Sequence, residues 1–150
     1  MSTLANHLIK EPVGRIMNKL SRLYLANLHQ NLTHLDIKRS YYPLLLIEAG
    51  KGELTQKELA EKLVCDKVQV VRIIDYLSSK GYVERKQCEN DRRKCCLKIT
   101  EKARKFIPDI KDAIEKTTKL TFNGLPEKKV DELYNLLEKI DTNLSPDKVN

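Results

Sequence analysis

Residues 54–100 leave few folds open. The run LTQKELAEKL sets Thr55 and Glu58 at the spacing of a capping box, in which each side chain satisfies a backbone N–H of the other residue. A short helix over 56–63 follows, with Leu59, Ala60 and Leu63 on one face. After the turn VCD, Asp66 is placed to cap a second helix from Lys67 to about Lys80, and Gly81 ends it. Val70, Ile73, Ile74 and Leu77 form its apolar stripe, which leaves Lys67, Val68, Gln69, Val71, Arg72 and Tyr76 facing elsewhere. YVERK and CCLKI then read as two strands paired across the tip QCENDRRK. Two helices joined by a tight turn make a helix-turn-helix candidate, and a hairpin directly after the second adds a wing.

The flanks are helical. Apolar residues at Ile9, Val13, Ile16, Met17, Leu20, Leu23, Tyr24 and Leu28 follow three-and-four spacing, predicting one helix over about 9–32. Ser40 is placed to cap a helix running to about Ala49, with Pro43 in its tolerant first turn. Thr100 caps a helix predicted to reach about Phe122. A last one follows Pro126 to about Leu144, with Val130, Leu133, Leu137, Ile140 and Leu144 on its apolar face. The expected fold class is mostly α with a small β-hairpin wing. One domain, 1–150, is expected, with a winged helix-turn-helix unit at 40–100 and dimerisation helices at 1–36 and 101–150. A unit of that size has little with which to cover the terminal apolar stripes, so a symmetric homodimer is expected.

Charge points to the kind of partner. Residues 51–105 carry 15 Lys/Arg against 9 Asp/Glu, and they supply most of the chain's net +7. A concentrated basic surface suits a polyanion, double-stranded DNA before a membrane, although such a face can also serve only solubility. The N-terminus lacks a basic-then-apolar signal pattern, and the apolar run from Tyr41 to Ile47 is too short to span a bilayer. A cytoplasmic location with reduced cysteines is the expectation. No phosphate-cradling glycine loop, HExxH, nucleophile elbow or carboxylate cluster is present, so neither an enzyme nor a cofactor is expected.

At LTQKELAEKL, DKVQVVRIIDYLSSKGYVERK and DRRKCCLKITEKA the chain resembles the MarR-type winged-helix transcription regulators. The family's D-x-R wing element falls on Asp91 and Arg93, and the end of its second wing strand on Ile99 and Thr100. The resemblance implies a mostly helical dimer whose Lys67–Lys80 helix enters the major groove while the wing tip reaches the minor groove. It also implies a repressor released by a small phenolic ligand or by oxidation. Two positions depart from the pattern. Val68 and Gln69 stand where many relatives have small hydroxyl residues, and Ala103 replaces the usual glycine.

Gln69 and Arg72 are the candidates for base readout, because glutamine can pair with adenine and arginine can donate twice to guanine. Val68 can pack only on a thymine methyl. Lys67, at the helix start, suits a phosphate. Arg93 suits a narrow minor groove, with Asp91 holding Arg92 or Arg93 in place. Arg85, Lys86, Arg92 and Lys94 are either phosphate contacts or merely solubilising.

Cys95 and Cys96 are strand neighbours pointing to opposite faces, which argues against zinc; no metal is expected. Cys88, among Lys86, Arg92 and Arg93, and Cys65, before the second helix, are the redox candidates, with inert packing as the plainer alternative. The peroxide-sensing branch of the family carries its cysteine near the first helix, where this chain has none. Tyr24, His34, Tyr41 and Tyr42 are candidates for a small aromatic-ligand pocket, or for an ordinary core junction. A second functional class is a helical protein-binding adaptor that keeps the winged geometry without touching DNA; outward Val68 and Val71 favour it.

Overall fold

The apolar stripes of the two short helices converge on shared buried residues. Leu59, Val70, Ile74 and Leu77 lie in one cluster with Leu44, Ile47 and Leu97. The computed structural model describes residues 11–37 and 39–145. Its elements are α1 (Val13–Gln30), α2 (Tyr41–Ala49), β1 (Leu54–Thr55), α3 (Gln56–Leu63), α4 (Lys67–Ser79), β2 (Val83–Gln87), β3 (Cys95–Ile99), α5 (Glu101–Arg104), α6 (Ile107–Thr121) and α7 (Glu127–Leu144). The fold is mostly helical, with one three-stranded antiparallel sheet in the order β1-β3-β2.

Local chemistry accounts for most boundaries. The capping box forms in full: Thr55 N donates to Glu58 Oε2 at 2.8 Å and Glu58 N to Thr55 Oγ1 at 3.2 Å. The Thr55 backbone N–H and the Thr55 hydroxyl, both donating to Glu58 Oε2, hold the Glu58 carboxyl below its ordinary value. Asp66 Oδ1 accepts from Gln69 N at 2.8 Å, starting α4 as expected. At the other end Gly81, with φ +72°, closes the helix, and Gly81 N and Tyr82 N donate to Ser78 O and Leu77 O, both at 2.9 Å. That pairing satisfies carbonyls the helix would otherwise leave open. Gly50 is required for space, since a Cβ there would lie 2.6 Å from Leu54 Cβ.

Four expectations change. The first helix is shorter, Val13–Gln30, and Ile9 lies outside the described residues. Of its stripe only Leu28 is buried, while Val13, Leu20 and Leu23 are more than half exposed. Ser40 takes the N-cap position of α2, but its hydroxyl makes no capping bond. The helix expected to run unbroken from Thr100 is divided into α5 and α6. Pro108 has no N–H to give the Arg104 carbonyl, so the ladder cannot continue there. Finally, the two-residue strand β1 joins the hairpin through Leu54↔Leu97 and Thr55↔Cys96, a pairing too short to leave a periodic signal.

The chain divides into two compact units, the first ending at Ile114 and the second beginning at Glu115. The first holds the buried cluster and the sheet. In the second, Phe122 and Tyr134 pack with ring centroids 6.0 Å apart, and α7 has no buried residue. No described helix is long and apolar enough to cross a membrane.

Candidate nucleic-acid interface

Helix α4 is held from several directions, and the directions matter because they decide which face stays open. Asp66 caps its N-terminus. At its C-terminus Lys102 Nζ donates to Lys80 O at 2.9 Å, placing a cation where the helix dipole favours one. Along its length Asp75 Oδ1 accepts from Arg85 Nη2 of β2 at 2.7 Å. Tyr76 OH donates to the Asp36 carbonyl oxygen and to Asp36 Oδ1, each at 2.8 Å, and Lys80 forms an ion pair with the same carboxylate. Burial and the bond to Asp36 push the Tyr76 phenol up to about 12. With Val70, Ile74 and Leu77 buried, the exposed residues at the start of α4 are Lys67, Val68, Gln69 and Arg72. They combine two cations, one amide and one apolar contact, a set able to meet phosphates and base edges.

The wing carries its charge at the tip. Arg92, Arg93 and Lys94 are exposed, and Asp91 is half-buried. Asp91 Oδ1 accepts from the backbone N of Arg93 at 3.0 Å, and Lys94 N donates to Asp91 O at 3.0 Å. Asp91 thus fixes Arg93 through its main chain. Arg85 has its guanidinium on Asp75, so it ties β2 to α4. Lys86 pairs with Glu84 at 3.1 Å, across exposed side chains that contribute little to stability.

The cysteines depart from the reduced expectation. Cys88 and Cys96 form a disulfide with Cα atoms 5.1 Å apart, while Cys65 and Cys95 are free. Cys96 is buried and Cys95 exposed, in keeping with strand alternation. Burial pushes the Cys65 thiol up, reinforced by the Asp66 carboxylate, which is the opposite of activation. No group of three or more metal-ligating side chains occurs among the described residues.

The four aromatic-pocket candidates are only partly gathered. Tyr41 is pushed up by burial and by the nearby Tyr24 and Tyr42 phenols. His34 Nε2 instead lies 3.0 Å from Asp109 Oδ2, with its ring edge-on to Phe106 at 6.4 Å. An open groove of about 420 Å³ lies elsewhere, lined by His29, Arg39, Ser40, Arg72, Ile73 and Tyr76.

Sequence reasoning missed Asp36, Asp75 and Lys102, whose partners lie on other elements, 40, 10 and 22 residues away. The Cys88–Cys96 pairing depends on the hairpin register. With Val83 opposite Ile99, Cys88 falls diagonally across from Cys96 on one face of the hairpin.

The MarR family model matches residues 35–94, which span α2, α3, α4, β2 and the wing tip and end before β3. Among solved structures, a cysteine-to-serine mutant of MarR from E. coli complexed with operator DNA is 28% identical, with a TM-score of 0.77, covering 93% of this chain and 99% of that one. The transcriptional regulator SlyA superposes with a TM-score of 0.81 at 21% identity, covering 91% and 96%. CouR from Rhodococcus jostii RHA1, bound to p-coumaroyl-CoA, gives 0.74 at 23%, covering 87% and 92%. Capped α3 and α4, strand β2 and the Asp91–Arg93 wing element stand where the MarR family model matches, and the fold is the winged helix-turn-helix of the MarR-type regulators that the chain resembles.

Proposed function

We propose that this chain is a sequence-specific DNA-binding repressor that acts as a homodimer on an inverted-repeat operator. The observation that carries this reading is the exposed start of α4, where Lys67, Val68, Gln69 and Arg72 stay open while Val70, Ile74 and Leu77 are buried and Asp75 and Tyr76 are bonded to other elements. Gln69 and Arg72 read base edges, Val68 packs on a thymine methyl, and Lys67 meets a phosphate. Arg93 enters the adjoining minor groove, with Arg92 and Lys94 on flanking phosphates. Support for two copies comes from the apolar side chains left open on α1 and α7, among them Leu20, Leu23, Leu136 and Leu144. A dimer matches the two-fold symmetry of an inverted repeat.

Release by a small aromatic ligand belongs to the same reading. It is supported by the half-buried tyrosines Tyr24 and Tyr41, and by a relative of the same fold that binds p-coumaroyl-CoA. A cytoplasmic, non-enzymatic protein completes it.

A second reading, a protein-binding adaptor, draws on Val64 and Val68, which are 78% and 59% exposed beside the same helix start. Selection of tight-binding duplexes from a random DNA pool separates the two. Enrichment of an inverted repeat with half-sites about one helical turn apart is expected for the regulator. A pool with no enrichment at low and moderate salt sinks that reading in favour of the adaptor.

A further inference from the structure

The wing holds a covalent bond that the helix-turn-helix does not need. Cys88 directly follows β2 and Cys96 is the second residue of β3. The ladder pairs Lys86 with Cys96, and Cys88 N donates to Lys94 O at 3.0 Å, so the two cysteines sit diagonally on one face of the hairpin. The bond between them encloses Glu89 through Cys95, the segment that carries Asp91, Arg92, Arg93 and Lys94. Both sulfurs are screened from water, with Cys88 8% and Cys96 2% exposed. Cys96 Sγ also lies 3.2 Å from Glu53 O, beside the strand that leads into α3. In the disulfide that is a packing contact. In the thiol form Cys96 gains an S–H that can donate to this carbonyl, so each state has a defined place for the sulfur.

We infer that Cys88 and Cys96 form a reversible redox staple that fixes the arginine-bearing wing tip for DNA. This rests on the DNA-binding reading above for its consequence, though not for its chemistry. The oxidant is a small hydroperoxide. The Cys88 thiolate attacks a peroxide oxygen, the O–O bond breaks, and Cys88 sulfenic acid forms as the other oxygen leaves as water or alcohol. Cys96 sulfur then attacks Cys88 sulfur; the S–S bond forms, the S–O bond breaks, and the departing hydroxide takes the Cys96 proton as water. Two thiols and one hydroperoxide thus yield one disulfide, with both electrons accepted by the peroxide. A dithiol reverses the step by thiol–disulfide exchange and is itself oxidised to a disulfide.

The consequence runs in one direction. Oxidation closes the tip loop and removes disorder that DNA binding would otherwise have to remove, so the oxidised form binds more tightly. Reduction leaves the tip held by its backbone bonds at Asp91 and Lys94 alone. Cys65 is not part of this device. Cys95 is exposed and free next to Cys96 but points to the opposite face of β3.

The test uses the full chain, reduced with dithiothreitol or oxidised with hydrogen peroxide that is then removed. The reduced chain should show all four thiols, and the oxidised chain only Cys65 and Cys95. Amide exchange over residues 88–94 should slow about tenfold on oxidation, and affinity for a selected duplex at fixed salt should rise about five- to tenfold. Cys88→Ser should abolish both changes, while Cys95→Ser keeps them. A different disulfide, or no disulfide, overturns the inference, as does equal exchange of the tip in the two states. Equal affinities in a chain that binds DNA overturn the link to the wing. Slowed exchange with no DNA binding in either state leaves the staple standing and rejects the DNA-binding reading instead.

Discussion

Asp75 on α4 and Arg85 on β2 meet through a 2.7 Å charge-assisted hydrogen bond that fixes the helix and the wing to each other. The two side chains are 60% and 36% exposed, so the pair adds only about 0–1 kcal/mol to stability. Its value is geometric. Asp75→Asn should leave the thermal midpoint nearly unchanged but weaken DNA binding about three- to tenfold, because wing and helix no longer share one register. A double-mutant cycle with Arg85→Gln, read as duplex affinity, should show the two losses to be strongly non-additive. Additive losses would mean that each residue acts alone.

Arg72 and Lys67 should separate specificity from charge. Arg72→Ala should cost about 1–3 kcal/mol and flatten preference at one base position. Lys67→Ala should weaken all duplexes alike and lower the salt slope by about one. Binding to a panel of single-base operator variants at several salt concentrations distinguishes the two patterns. An Arg72→Ala chain with unaltered preference would remove that residue from base readout.

Tyr76 makes an alkaline prediction. Its phenol is raised to about 12, above its ordinary value of 10.0, so the neutral form is favoured by folding. The stabilisation is therefore fully present below pH 10 and lost as pH rises through the folded value. Tyr76→Phe, which removes the donor to Asp36, should cost about 1 kcal/mol at neutral pH. The gap between the two proteins should then close in strong alkali. Urea unfolding followed from pH 7 upward checks this, and a gap independent of pH would exclude ionisation of Tyr76 as its source.

Val64 should be improvable. It takes φ 51° at the end of α3, a left-handed conformation that a β-branched side chain adopts only with strain, and it is 78% exposed. Relief of roughly 1–2 kcal/mol, less a glycine entropy cost of roughly 0.5–1 kcal/mol, makes Val64→Gly stabilising by about 0.5–1 kcal/mol. Val64→Ala, which keeps the Cβ, should show little of this gain. Denaturant midpoints of the three proteins provide the comparison, and a destabilised glycine variant would show that Val64 makes contacts worth more than its strain.

Much of the winged helix-turn-helix unit was legible before any fold was known. The Thr55–Glu58 box, the Asp66 cap, the Gly81 stop and the Val70, Ile74 and Leu77 stripe are all encoded within a few residues of where they act. So were the two hairpin strands and the exposure of Lys67, Val68, Gln69 and Arg72. The break before α6 was equally local and simply passed over, since Pro108 stands in plain sight. The clamp around α4 is of another kind. Tyr76 meets Asp36 across 40 residues and Lys102 meets Lys80 across 22. The Cys88–Cys96 bond needed the strand register as well as the strands. Periodicity and caps write each element into its own short stretch, because they depend on backbone geometry within a turn or two. Which side chains end up shared between elements, and which sulfurs meet, depends on how those elements pack, and only the folded chain decides that.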